Sequence, residues 1–85
     1  MHHYAVLASM KRSKKIPAHR KQLGDAIRAG RQKLTLSQEG LAEKVGCHRN
    51  YVGYVERGEQ NVTIDMLVRF ATALKCHPAN FLEER

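Results

Sequence analysis

Long apolar runs are missing from this chain. No stretch approaches the roughly 18 residues a membrane-spanning helix needs. The apolar part of the N-terminal segment, Ala5 to Ala8, is too short for the core of a secretory signal. Cysteine is scarce: Cys47 and Cys76 lie far apart, each followed by a histidine, and neither belongs to a CxxC or HxxxH spacing. The favoured reading is two small buried hydrophobes in a reducing compartment, ahead of a zinc site or a disulfide. Aromatic residues make up only 6% of the chain. Strand-like alternation and internal repeats are absent. The five histidines and eight acids form no nucleophile–base pair and no metal constellation at recognisable spacing, so neither an enzyme, a cofactor nor a metal is expected. Glu39 and Glu43, four apart, read as a solvated helix face.

What is present is one small, basic domain. Eighty-five residues, 42% of them hydrophobic, allow a single core of marginal size, which such chains often supplement by dimerising. The net charge is +7, a balance that favours a polyanionic partner. It is also polarised: residues 11–33 hold nine Lys or Arg and a single acid, Asp25, which leaves the rest of the chain at −1. Residues 1–16 lack sustained periodicity and carry the cluster Lys11, Arg12, Lys14 and Lys15 ahead of Pro17. They read as a flexible basic arm, equally a solvated tail or a DNA contact. Residues 17–85 form the domain.

The domain reads as all-α, with five helices. The first runs from Pro17 or Ala18 to about Lys33, with Leu23, Ala26, Ile27 and Leu34 at helical spacing. The second spans Ser37 to Val45, with Ser37 as its N-cap. The third spans His48 to Arg57 and stops at Gly58, a suitable residue just past a helix end. The fourth begins after Thr63, with the stripe Ile64, Leu67, Phe70, Ala71 and Leu74 and with Asp65 complementing the helix dipole. Pro78 opens a short fifth helix holding Phe81 and Leu82.

Gln38 to Arg57 is the informative segment. Ala42 is small where two helices would cross, Gly46 suits a turn with positive φ, and Val52 faces inward at the second crossing. Leu41, Val45, Cys47 and Val55 complete the apolar set. Two short helices joined by a tight glycine turn make a helix-turn-helix, whose second helix enters a DNA major groove. With Arg49 at zero and about 100° per residue, Val52 and Val55 fall near 300° and 240°, the buried side. Arg49, Asn50, Gly53, Tyr54 and Arg57 spread from zero to about 140°, an arc free of aliphatic side chains. Arginine donates two bonds to guanine and asparagine pairs with adenine. The base-reading set is therefore Arg49, Asn50, Gly53 and Tyr54. Gly53 admits close approach of DNA or room for a neighbouring helix. Phosphate contacts are assigned to Gln38, His48, Tyr51 (a boundary residue, half core), Arg57, Gln60 and Asn61, though Gln60 and Asn61 also suit an ordinary polar turn.

The runs LTLSQEGLAEKVG at 34–46 and YVGYVERGEQNVTIDMLVRFATALKCHPANFL at 51–82 resemble the Cro/C1-type (XRE) helix-turn-helix regulators. Within that family, HRNYVGYVERGEQNVT looks most like restriction–modification controller proteins. The resemblance spans about Leu23 to Leu82. It implies a compact five-helix, lambda-repressor-like domain whose third helix reads the major groove. It also implies an ion pair between Arg31 and Glu56 bracing the first helix against the third, and a phosphate-contacting Gln38. A homodimer interface is implied at His77, Pro78, Asn80, Phe81 and Leu82. Two departures stand out: His48 where Ser or Thr is common at the cap, and Gly40 where Glu is frequent.

The expected function is a sequence-specific double-stranded-DNA-binding transcriptional regulator. It would bind a palindromic operator as a homodimer, touching RNA polymerase if seated upstream of a promoter. It would work in the cytoplasm on the nucleoid, in a bacterial or phage-encoded system, with no membrane partner. An antitoxin would need an extended toxin-neutralising segment, for which only residues 1–16 are available. A protein-interaction adaptor would have no use for Arg49 and Asn50.

Overall fold

The computed structural model describes residues 15–83. The arm therefore lies outside the described residues, except for Lys15 and Ile16. Among the described residues there are four α-helices: α1 (Ala18–Lys33), α2 (Gln38–Val45), α3 (Arg49–Glu56) and α4 (Ile64–Ala73). The expected fifth helix is instead a 3₁₀ turn, Pro78–Leu82. Its five residues are too few to complete an α-helical ladder beyond a single turn, and Pro78 at its start contributes no N–H. There is no strand among the described residues.

Local chemistry sets the boundaries. Ser37 Oγ accepts the Gly40 N–H at 2.9 Å, and Thr63 Oγ1 accepts the Met66 N–H at 3.1 Å, capping α2 and α4. Gly46, at φ +85°, closes α2 by donating to the Ala42 carbonyl at 2.8 Å, and the Cys47 N–H shares that acceptor. Gly58, at φ +78°, ends α3: its N–H reaches the Val55 carbonyl at 3.0 Å while the Glu59 N–H reaches that of Tyr54 at 2.9 Å. That pair of bonds is the Schellman arrangement, which stops a helix and turns the chain away.

The core lies where α1, α2, α3 and α4 converge. Ile27, Leu41, Val52, Val55 and Phe70 are almost fully excluded from solvent, and Ala42 and Val45 seal the α2–α3 crossing. Phe81 plugs the C-terminal side, where the 3₁₀ turn packs on α1 and α4. The expected α4 stripe needs one correction. Ile64 is 77% exposed, because the first turn of α4 projects past the edge of the core that Phe70, Ala71 and Leu74 fill. Gly24 permits the closest helix contact. A Cβ there would stand 2.5 Å from the carbonyl oxygens of both Val55 and Glu56, so α1 and α3 touch backbone to backbone.

Candidate nucleic-acid interface

One side of α3 is buried and the other is polar. Val52, Gly53, Val55 and Glu56 are buried, whereas Arg49, Asn50, Tyr54 and Arg57 are exposed. Arg49, Asn50, Gly53, Tyr54 and Arg57 line a shallow hollow whose remaining wall is Gln38, from the start of α2. The arc drawn from helical periodicity is thus a continuous surface. Gly53 forms its floor. A Cβ on Gly53 would meet Arg57 Nη1 at 3.2 Å and Gln38 Oε1 at 3.6 Å, both ends of side chains on this face. Gln38 belongs to the neighbouring helix α2, so the missing side chain makes room for that helix's first residue as well as opening the face.

Arg57 and Tyr54 brace one another, and Arg49 has a longer, exposed ion pair. The Arg57 guanidinium lies 5.2 Å from the centre of the Tyr54 ring, a cation–π contact, and its Nε donates to Glu59 at 3.2 Å. Arg49 Nη1 stands 3.8 Å from the Glu39 carboxylate. His48 caps α3: its Nδ1 accepts the Asn50 N–H at 3.0 Å. The imidazole thus takes the place that Ser or Thr would fill, and an Nδ1 acceptor leaves Nε2 as the protonated nitrogen. Tyr51 is half-buried with its ring stacked on Phe70, centroids 6.3 Å apart. Gln60 is half-buried, Asn61 is exposed, and neither side chain pairs with another among the described residues.

Behind this face sits a buried charge cluster. The Glu56 side chain is wholly excluded from solvent and the Arg31 side chain is 14% exposed. Arg31 Nε donates to Oε2 of Glu56 at 2.6 Å and Nη2 to Oε1 at 3.0 Å, while Nη1 donates to the Leu36 carbonyl at 2.9 Å. This two-pronged grip fixes α1 against α3. Arg28 adds a longer contact at 3.4 Å, and Gln38 Nε2 donates to Glu56 Oε1 at 3.1 Å. Burial pushes the Glu56 carboxyl upward, but the bonds from Arg31, Gln38 and Arg28 outweigh it and hold the carboxyl below its usual range. The same pairing raises the Arg31 guanidinium. Gln38 therefore has two attachments: its amide nitrogen anchors in the cluster, and its body walls the polar hollow.

Sequence reasoning missed Arg28, three residues before Arg31 and so on the same helix face, and Gly24. A glycine inside a strong helical pattern costs about 1 kcal/mol relative to alanine, and that penalty was the available signal of close approach. The positions assigned to a dimer interface divide. His77, Asn80 and Leu82 are exposed, Pro78 is half-buried, and Phe81 is 3% exposed inside the core. His77 also caps the 3₁₀ turn, with Nδ1 accepting the Ala79 N–H at 3.1 Å. Both cysteines are free and half-buried, and burial raises both thiols. No group of three or more metal-binding side chains occurs among the described residues, and no helix there is long and apolar enough to cross a membrane.

Comparison with known proteins places this arrangement. The helix-turn-helix family model matches residues 27–81. The control protein C.SmaI of Serratia marcescens is 50% identical over 52 residues, covering 61% of this chain and 62% of that relative. The chain thus spans about three fifths of the length of the curated relatives it matches. The restriction–modification controller protein C.AhdI of Aeromonas hydrophila has a solved structure similar to this one. Its TM-score is 0.73 at 40% identity, over 76% of this chain and 98% of that one. The P22 c2 repressor, solved in complex with a synthetic operator, gives a TM-score of 0.68 at 33% identity, over 72% of this chain and 92% of that one. With a helix-turn-helix built from α2 and α3, a polar face on α3 and these relatives, the chain belongs to the Cro/C1-type helix-turn-helix family.

Proposed function

We propose that this protein is a sequence-specific double-stranded-DNA-binding transcriptional regulator that places α3 in the major groove. The observation that carries this reading is the hollow formed by Gln38, Arg49, Asn50, Gly53, Tyr54 and Arg57. It combines donors suited to base edges with a glycine floor that lets a base pair or backbone come close. Arg49 and Asn50 open α3, the end that reaches deepest. Gln38, His48 and Arg57 flank them and serve as phosphate contacts, with Tyr51, Gln60 and Asn61 at the margins. Phosphate contacts set register and affinity, and base contacts set sequence.

The protein acts as a homodimer on a palindromic operator. One α3 covers a half-site, and a two-fold axis repeats it about 10–10.5 bp away. The exposed part of the Pro78–Leu82 turn and its approach from His77 supply the interface. Leu82 is 50% exposed, and on α4 Ile64 and Val68 are exposed one turn apart. These are large apolar side chains that a second copy would cover. Phe81 supports this surface from inside. A dimer upstream of a promoter can touch RNA polymerase, whereas one overlapping it blocks access. The site of action is the bacterial cytoplasm, on the nucleoid.

The test compares variants on one duplex and on its single-base-pair changes. Arg49→Ala should cost about 1–3 kcal/mol and relax the preference at one base pair, whereas Gln38→Ala should weaken every duplex alike. Uniform weakening by both would mean that α3 does not read bases.

A further inference from the structure

Arg49 is placed between two hollows. On one side lies the base-reading surface with Asn50, Gly53 and Tyr54; on the other, a second hollow lined by Glu39, Ala42, Glu43, Cys47 and His48. On the side of the second, its Nη1 stands 3.8 Å from the Glu39 carboxylate, an exposed ion pair just beyond hydrogen-bond distance. No other side chain pairs with Arg49 among the described residues. A guanidinium carries five N–H donors in a rigid planar fork, so one edge can hold a carboxylate while the opposite edge stays available. Arg49 is also the first residue of α3, where a cation opposes the positive end of the helix dipole. The nearby carboxylate offsets that conflict from the neighbouring helix.

We propose that Glu39 is the positioning residue for Arg49, holding one edge of the guanidinium so that the other faces a guanine in the major groove. This role rests on the DNA-reading function proposed above. An untethered arginine on a groove-facing helix has abundant phosphate oxygens as alternatives, and bonds to those carry no sequence information. Tethering favours the guanine-facing geometry and makes phosphate capture compete with an existing ion pair. The carboxylate also repels the backbone, which lowers sequence-blind affinity. Glu39 therefore sets discrimination more than total affinity. Glu43, one turn further along α2, faces the same hollow and has no arginine partner among the described residues, so it supplies the charge-matched comparison.

The experiment uses the full chain, the duplex that it enriches from a random library, single-base-pair variants of that duplex and a scrambled duplex of equal length. Glu39→Gln should lose about fivefold in discrimination at the base pair that Arg49→Ala affects. It should bind the scrambled duplex about twofold to fivefold more tightly, the scale of one exposed ion pair. Glu43→Gln should tighten scrambled binding through charge alone and leave discrimination intact. In an Arg49→Ala background, Glu39→Gln should change discrimination no further, since its effect passes through Arg49. Unchanged discrimination in Glu39→Gln, or an equal loss with and without Arg49, would overturn the role. Failure of the wild-type chain to enrich any duplex would overturn the DNA-reading function itself, and the role with it.

Discussion

Removing the Glu56 carboxylate is the most demanding perturbation of this fold. Glu56 has no exposed side-chain surface and accepts bonds from Arg31, at 2.6 and 3.0 Å, from Arg28 at 3.4 Å and from Gln38 at 3.1 Å. In Glu56→Ala those donors lose their acceptor. Arg28, 41% exposed, and the exposed Gln38 can turn to water at little cost. Arg31 cannot, at 14% exposure, and keeps only the Leu36 carbonyl. Breaking one partner of a buried pair typically costs about 3–5 kcal/mol. A domain of this size has about 4–13 kcal/mol in all, so the variant should forfeit about a quarter or more of its stability. At about 4–8 °C per kcal/mol, the melting temperature should fall by roughly 12 °C or more. Glu56→Gln keeps the volume and one acceptor but loses the charge, and should fall between the two. The acid dependence has a definite sign. Because the folded carboxyl is held below its ordinary value of 4.5, its contribution is complete above that pH and fades as pH falls through the folded-state value. Thermal melts followed by circular dichroism at neutral and acidic pH test this. The gap between wild type and Glu56→Gln should narrow in acid. A Glu56→Ala variant melting within about 2 °C of wild type would refute the argument that this cluster braces α1 against α3.

Other substitutions separate packing from reading. Gly24→Ala should destabilise by about 1–3 kcal/mol or more, since its Cβ would lie 2.5 Å from two backbone oxygens that cannot turn aside; chemical denaturation would measure it. Gly53→Ala should do the opposite, gaining up to about 1 kcal/mol in helix stability because its new neighbours are flexible side-chain ends, while weakening binding to the enriched duplex. His48→Ala should lose about 1 kcal/mol with the α3 cap, and His48→Ser should restore it in thermal melts. Leu82→Glu should shift a dimer toward monomer in sedimentation experiments while leaving the melt of the monomer little changed, since Leu82 is 50% exposed.

Much of this was legible in the residues. Ser37, Thr63, Gly46 and Gly58 act locally, through a cap bond or a positive φ, so their roles follow from a few neighbours in sequence. The polar arc of α3 followed from helical periodicity alone. What was not legible depends on juxtaposition. Ile64 belongs to the apolar stripe of α4 by spacing, yet the core ends before reaching it. The Pro78–Leu82 segment carries a helix-start proline and two large apolar residues, but only Phe81 finds a core position, and the segment stays a 3₁₀ turn. Gln38 reads as a surface residue at a helix start; that it also bonds Glu56 depends on how α2 meets α3. Glu39 reads as part of a solvated face, and its proximity to Arg49 arises only when the turn brings two helix starts together.

The proposed function requires that α3 read base pairs from a two-fold-symmetric pair of chains. Selection from a random duplex library, with binding repeated at two salt concentrations, tests it most directly. The expected result is an enriched palindrome with half-site centres about 10–10.5 bp apart, whose preference over scrambled DNA survives the higher salt. Binding that is blind to sequence and collapses with added salt would contradict it.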